Sequence, residues 1–285
     1  MEVKITGAGG YLGKLINKEL NNHSHKISAI SRKSLYDPPE LLSDKIAGTT
    51  VLINLAGAPI LQRWTKKNRD IIYNSRVITA QNIVKAVNLL PDKLRPQKII
   101  SVSAIGIYKV DSLHDENSSD FDTGFLGNLV KDWENTWKLL PENVNMSIFR
   151  TAIVLGSEAV IIKKLIPLFK LGMGGKLGTG KQPFPFIHEK DVCEAFLLTL
   201  EEKLAPGIYN LAAPDQITND YFTKALAKTV RKPAILRVPA FALKILYGEA
   251  AGILTESPAV IPKKLLEYGF NFNYPTIEKV MKDII

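Results

Sequence analysis

The first residues of the chain run Val3-Lys4-Ile5-Thr6 straight into Gly7-Ala8-Gly9-Gly10-Tyr11-Leu12-Gly13, and few folds accommodate that succession. Val3 to Thr6 reads as a short strand, and Lys14 to Leu20, with Leu15, Ile16 and Leu20 at helical spacing, reads as a helix. Glycines at 7, 10 and 13 let the chain turn sharply out of the strand, bring its backbone against a pyrophosphate and pack the helix close to the strand. The helix N-terminus then offers free N–H groups and partial positive charge to an anion. Taken alone, the glycines fit a plain tight turn equally well. Their context favours a dinucleotide cradle, because a second strand, Lys26 to Ile30, ends about twenty residues later. Thr6, Gly7, Gly9, Gly10, Tyr11, Leu12 and Gly13 are the expected pyrophosphate-side residues.

The end of that second strand bears on which dinucleotide. An acid there would bind the ribose hydroxyls of NAD, but the chain has Ser31-Arg32-Lys33. A hydroxyl and two cations favour the extra 2′-phosphate, so NADP(H) is expected over NAD(H). An exposed basic turn is the other reading. Few residues separate Arg32 from the next strand, and they include Pro38-Pro39, so the third strand of the usual sheet is expected to be reduced or missing.

Further along, Thr50–Ala56, Lys98–Ser103, Met146–Leu155 and Gly207–Ala212 are apolar runs, with helical patterns at Lys67–Arg76 and Thr79–Leu89. Continuous apolar strands separated by helices predict a parallel sheet covered on both faces, an α/β Rossmann-type doubly wound fold. The Gly- and Pro-rich stretch Gly172–Pro183 reads as a loop. From Thr218 the chain is again helical, interrupted at Pro233, Pro239, Pro258 and Pro262. The expected division is a nucleotide-binding part over 1–155, with 186–213 returning to it, and a smaller C-terminal cap over 156–185 and 214–285.

Composition excludes several other classes. With 46% hydrophobic and 23% charged residues the chain is globular in type, and no apolar run reaches the ~18 residues of a membrane span. No signal-peptide pattern precedes the first strand, so a cytoplasmic location is expected. The one cysteine, Cys193, forms no internal disulfide and reads as inert core. The formal net charge of +9 could suit nucleic acid, yet cations come singly or paired among acids, as in Lys66-Lys67-Asn68-Arg69-Asp70. Nucleic acid is therefore not an expected partner, and an anionic small ligand suits the basic surface equally. No metal site is expected. A homodimer or a partner protein remains open.

These residues resemble the extended short-chain dehydrogenase/reductase superfamily, and within it an atypical branch of epimerase-family, NAD-dependent epimerase/dehydratase-like proteins. The likeness runs end to end. It takes in Asn54-Leu55-Ala56-Gly57-Ala58-Pro59-Ile60 with Arg63-Trp64-Thr65, Ser75-Arg76, Ser103-Ala104-Ile105-Gly106-Ile107-Tyr108, Trp133-Glu134, Arg150-Thr151, Gly178-Thr179-Gly180-Lys181-Gln182, Ile187-His188 with Asp191, and Gly269-Phe270-Asn271-Phe272. The resemblance implies that Leu55, Ala56 and Gly57 line the nicotinamide-side ribose, although a strand end needing a turn would look the same. It also implies that Arg150 faces the nicotinamide, and that Gln182, His188 and Asp191 hold substrate and hinge the cap.

The resemblance equally exposes what is missing. Hydride transfer at a hydroxyl carbon needs a proton carrier, in this superfamily a Tyr-x-x-x-Lys pair with a nearby Ser or Thr. Leu126 stands at the Tyr position, Val130 at the Lys position and Ala104 at the Ser position. A register shift would bring in Ser103 and Lys131, but still no tyrosine. Ser103, Tyr108 and His188 are therefore the candidates for a rearranged site. Glu116 is expected in a solvated loop, Trp133 in helix packing and Glu134 on the helix surface. Two functions stay open: an NADP(H)-dependent oxidoreductase or epimerase-like enzyme acting on a carbonyl or nucleotide-linked small molecule, and a non-catalytic NADPH-sensing module that signals to a partner.

Overall fold

The computed structural model describes residues 1–110 and 112–284. Strand β1 (Glu2–Thr6) feeds helix α1 (Tyr11–Asn22), which returns through β2 (Lys26–Ile30) and a short α2 (Pro39–Ile46) to β3 (Val51–Asn54). All four residues of β3 are buried, as a strand covered on both faces requires. Helices α3 (Lys66–Tyr73) and α4 (Thr79–Leu89) lead to β4 (Lys98–Ala104), and a two-residue β5 (Leu113–His114) precedes α5 (Phe125–Trp137) and β6 (Asn145–Thr151).

The expected run Met146–Leu155 is not one strand. β6 ends at Thr151, Ala152 donates its N–H to Leu211 O, and β7 (Ile153–Leu155) leaves the sheet. After α6 (Val160–Lys170), the Gly-rich stretch expected to be all loop contains β8 (Gly175–Leu177). β9 (Phe186–His188) pairs with β7, and α7 (Glu189–Leu200) leads to β10 (Gly207–Leu211). The remainder holds α8 (Asn219–Thr229), β11 (Leu236–Val238) paired with β8, α9 (Ala240–Tyr247), α10 (Gly252–Thr255), β12 (Ala259–Val260) paired with β5, α11 (Lys263–Glu267) and α12 (Ile277–Ile284).

The main sheet has six parallel strands in the order β10-β6-β4-β3-β1-β2. The chain starts at β1 in the interior, moves outward to β2, and returns to the other side of β1 with β3. A crevice therefore opens above the carboxyl ends of β1 and β3, where the winding reverses. Among the described residues no strand lies beyond β2, so the sheet ends there, as the short 33–50 segment predicts.

One core lies against α1 and α7, with Val3, Ile5, Phe149, Ile187 and Phe196 at its centre. Leu265, Phe270 and Phe272 from the C-terminal segment enter the same cluster. The opposite face packs Leu52, Ile99 and Ile148 against Leu42, Ile83, Val87, Trp133 and Trp137. Thr6, Asn54 and Ser101 form a polar ladder across the strand ends: Thr6 Oγ1 donates to Asn54 Oδ1 (2.7 Å), and Asn54 Nδ2 donates to Ser101 Oγ (3.1 Å). Cys193 is buried, and burial pushes its thiol up to about 12. No helix of the described residues is long and apolar enough to cross a membrane.

The patterns at Lys67–Arg76 and Thr79–Leu89 join into one helical run, because Asn74–Ile78 forms a π-turn between α3 and α4. Such turns insert a residue without breaking the helix and re-aim the side chains that follow.

Candidate active site

Two cavities adjoin the carboxyl ends of the strands. The first, about 670 Å³, lies in the crevice where the winding reverses. Gly7 adopts φ +70°, and a Cβ there would lie 2.7 Å from Leu55 O. A Cβ on Gly13 would overlap Gly7 O and lie 2.7 Å from Ala8 Cα. Both glycines are thus required by backbone packed on backbone. Gly10, the N-cap of α1, donates its N–H to Gly7 O (2.9 Å) and has no side chain with which to cap the helix. A Cβ on Gly9 would meet nothing within 4 Å, so the space beside the loop is open. An uncapped helix start facing an open hollow can receive an anion.

Of the residues expected at the cofactor, Gly7, Gly9, Gly10, Ser31, Arg32, Ala56 and Gly57 line this cavity. Thr6 and Leu55 stand behind its wall, where Leu55 N donates to Thr6 Oγ1 (3.2 Å). Tyr11, Leu12 and Gly13 open the helix, and Tyr11 is turned toward Glu189, to which its hydroxyl donates. Lys33 is exposed and outside the lining. Ser31 Oγ accepts from Ser34 N (3.1 Å), which fixes the turn that presents Arg32.

Ser75 and Thr79 also line the crevice, and sequence reasoning assigned neither a role. The π-turn explains Ser75. It places Ser75 Oγ to accept from Ala58 N (2.9 Å), while Arg76 Nη2 donates to Ala58 O (3.0 Å). Both backbone polar groups of Ala58, in the Leu55–Pro59 loop, are thereby held. The signal was the Ser75-Arg76 pair itself.

Arg150, expected to face the nicotinamide, is instead committed to an internal network. Its Nε and Nη2 donate to Glu134 Oε1 (2.9 Å) and Oε2 (2.7 Å), and its Nη1 donates to Tyr108 Oη (2.8 Å). Glu134 is not on the helix surface, since only 6% of it is exposed. It also accepts from Ser103 Oγ (2.6 Å). Burial alone would lower the Arg150 guanidinium, but the bidentate Glu134 and the Tyr108 hydroxyl outweigh it and raise its pKa. Tyr108 Oη donates in turn to Asn210 Oδ1 (2.9 Å). Burial raises the phenol's pKa against the opposing pull of Arg150. Glu116, expected in solvent, is buried and accepts from Asn210 N (2.9 Å) and Lys264 N (3.3 Å), which ties the C-terminal segment to the sheet edge.

The three residues expected at substrate, Gln182, His188 and Asp191, line neither cavity. Asp191 accepts from Asn273 N (2.8 Å) and Tyr274 N (3.1 Å) and so anchors the tail. His188 is fully buried, stacks on Tyr274 at 3.7 Å and accepts at Nδ1 from Lys190 N (3.3 Å). Its Nε2 lies 3.2 Å from Asp283 without hydrogen-bond alignment. Gln182 Nε2 donates to Leu177 O and Leu254 O, both at 3.1 Å, joining β8 to α10.

The second cavity, about 430 Å³, is lined by Ala104 and Leu126, with Val130 buried behind them. Tyr108 and Thr151 contribute to its wall, Trp64 and Phe125 form an aromatic edge, and residues 249–258 close one side. Among the described residues no three His, Cys, Asp or Glu side chains converge to hold a metal ion.

Comparison with known proteins agrees with this architecture. A family model described as a domain of unknown function (DUF1731) matches residues 238–284. The whole chain is 30% identical, over 302 residues, to the chloroplastic epimerase family protein SDR39U1 homolog of Arabidopsis thaliana, 87% of which is covered. It is also 30% identical over 294 residues to epimerase family protein SDR39U1 of Mus musculus, with 100% of both chains covered. Among solved structures, human epimerase family protein SDR39U1 (isoform 2) with NADPH matches with a TM-score of 0.91 at 26% identity, covering 100% of this chain and 99% of that one. The UDP-glucose 4-epimerase of Thermus thermophilus, in complex with NAD, shares the fold at TM-score 0.80 and 16% identity, with 100% of this chain and 98% of that one covered.

Proposed function

Because this chain belongs to the epimerase family of the extended short-chain dehydrogenase/reductase type, we propose that it binds NADP(H) in the first cavity and uses it in an oxidoreductase-type reaction in the second. The observation that carries this reading is the junction of an uncapped helix start, an open hollow beside Gly9, and Arg32 on the same wall. The backbone N–H groups of Tyr11, Leu12 and Gly13 would hold the linked phosphates. Arg32 would take the 2′-phosphate, with Ser31 beside it. Ala56 and Gly57 would admit the nicotinamide-side ribose, on a loop braced by Ser75 and Arg76.

When bound, the reduced nicotinamide supplies a hydride. In this reading, 1–155 together with 186–213 hold the cofactor, while 156–185 and 214–285 shape the substrate side.

A second reading, an NADPH sensor without turnover, draws on the same site. Ala104, Leu126 and Val130 carry no proton, and the hydroxyls of Ser103 and Tyr108 are engaged by Glu134, Arg150 and Asn210.

Calorimetric titration tests the cofactor reading. NADPH should bind more tightly than NADH, and Arg32→Ala should remove most of that difference, on the order of 1–3 kcal/mol for a charge-assisted phosphate contact. Equal affinity of the wild-type chain for both cofactors refutes the assignment of Arg32. Cofactor oxidation in the presence of an acceptor separates enzyme from sensor.

A further inference from the structure

We propose that the second cavity takes a cationic acceptor, an iminium carbon–nitrogen double bond carried on a largely apolar molecule, and not an anionic nucleotide-linked sugar. The proposal rests on the NADP(H) reading above for its reductant.

The first support is the absence of a mobile proton at the floor. Ala104, Leu126 and Ala152 line it, with Val130 behind. Of the hydroxyls that reach the wall, Tyr108 Oη donates to Asn210 and accepts from Arg150, and Thr151 Oγ1 donates to Phe149 O (3.1 Å), while Ser257 Oγ, on the side closed by residues 249–258, lies 3.5 Å from Pro258 O. Reduction of a neutral carbonyl leaves an alkoxide that must be protonated or neutralised in place. An iminium ion needs neither. A C–H bond forms at its carbon, the C=N π pair becomes the nitrogen lone pair, NADPH is oxidised to NADP⁺, and the product is a neutral amine. No proton moves.

The second support is charge. Asp122, Glu249 and Glu256 line the cavity, and no Lys or Arg does. Asp122 Oδ2 is held by Gly124 N and Gly127 N, both at 3.0 Å. Glu249 pairs with Arg69, and Arg63, beside Gly248, donates to Ile245 O (3.2 Å). Glu256 makes no ion pair among the described residues. A diphosphate would face three acids with nothing to receive it, whereas a cation would be drawn in.

The third support is aromatic. Trp64 and Phe125, both in the lining, sit edge to face with ring centroids 4.9 Å apart. Arg69 already stands over the Phe125 ring, its guanidinium carbon 4.9 Å from the centroid, so the ring left to a bound cation is the Trp64 indole, the aromatic side chain that attracts weakly hydrated organic cations best. The cavity's 430 Å³ lies in the range of small-molecule sites.

The experiment uses the full chain and three probes. N,N-dimethyl tetrahydroisoquinolinium is a stable cation of the expected shape, dimethyltetralin is its neutral isostere, and UDP-glucose is the anionic alternative. Each is titrated calorimetrically with and without saturating NADPH, whose own binding is measured first. The cation should bind about tenfold more tightly than the isostere. Glu256→Gln should narrow that ratio about threefold or more without weakening the isostere, a selective loss that a purely structural effect would not produce. NADPH oxidation with N-methyl dihydroisoquinolinium should proceed where a ketone of the same skeleton does not. Equal affinity for cation and isostere, or UDP-glucose competing with the cation, overturns the proposal. A chain that prefers the cation but does not bind NADPH refutes the cofactor reading and the reductive step, while the charge preference, read separately, stands.

Discussion

Glu134 and Arg150 form a bidentate ion pair at 2.9 and 2.7 Å, with 6% and 3% of each residue exposed, beneath the floor of the second cavity. The pair holds Ser103 and Tyr108 in fixed positions and so makes a rigid support of this region. Removing one partner strands the other charge where water does not reach it. Glu134→Ala should therefore destabilise the chain by about 3–5 kcal/mol in urea titration, whereas the double replacement Glu134→Leu with Arg150→Met should cost distinctly less. Additive costs across that cycle would mean that the two residues are not coupled.

Ser75 and Arg76 brace one residue from both sides, at Ala58 N and Ala58 O. Burial lowers the Arg76 guanidinium to about 10, so it keeps its charge at neutral pH while stacked 5.7 Å from the Trp133 ring. Ser75→Ala leaves the Ala58 N–H without its acceptor, at a cost of about 1–3 kcal/mol shared between stability and cofactor affinity. We expect a lower urea midpoint together with weaker NADPH binding. A variant that matches the wild type in both would show that the loop holds its shape unaided.

The parts of this fold that were legible in the sequence are those set by local physics. Val51 to Asn54 reads as a central strand because burial on both faces removes any polar alternation, and the two prolines between β2 and β3 leave no room for a further strand. Glu134 was legible in principle. It stands four residues beyond Val130 and eight beyond Leu126, on the inward stripe of α5, so its helical phase argued for burial. Its charge suggested surface, and only the distant Arg150 resolves the conflict. The departure of β7 from the sheet had no local mark, since Ile153 is as apolar inside the sheet as beside β9. His188 and Asp191 look like site residues because buried polar groups must find partners, and here those partners belong to the C-terminal tail.

Two glycines of the first loop should respond to alanine in opposite ways. At Gly13 the new methyl group overlaps Gly7 O and crowds Ala8 Cα, both backbone atoms that cannot turn aside. Gly13→Ala should lower the melting temperature by several degrees, on the order of 1–3 kcal/mol for an overpacked contact. At Gly9 nothing lies within 4 Å. Gly9→Ala should fold within about 0.5 kcal/mol of the wild type yet bind NADPH less tightly, because its methyl group enters the hollow assigned to the phosphates. Normal NADPH affinity in Gly9→Ala would mean that the hollow serves another purpose.

His188 couples the tail to pH. Burial lowers its imidazole from the ordinary 6.5 to about 4, against the opposing pull of Asp283. The unfolded chain takes up this proton as pH falls through about 6.5, while the folded chain takes it up only near 4. Between those values the unfolded state binds more protons, so stability rises with pH across the window and is lost as pH drops through it. The contribution at neutral pH is about 2–3 kcal/mol. Burial raises the Asp283 carboxyl, but Lys190, which donates to both Asp283 and Tyr274, outweighs this and holds it below its usual range, so loss of that ion pair falls below the window. His188→Asn keeps an acceptor for Lys190 N and removes the titration. Its urea midpoints should change little between pH 7 and 5, where those of the wild type fall. Parallel curves for the two chains over that interval would rule out His188 as the source of the pH dependence.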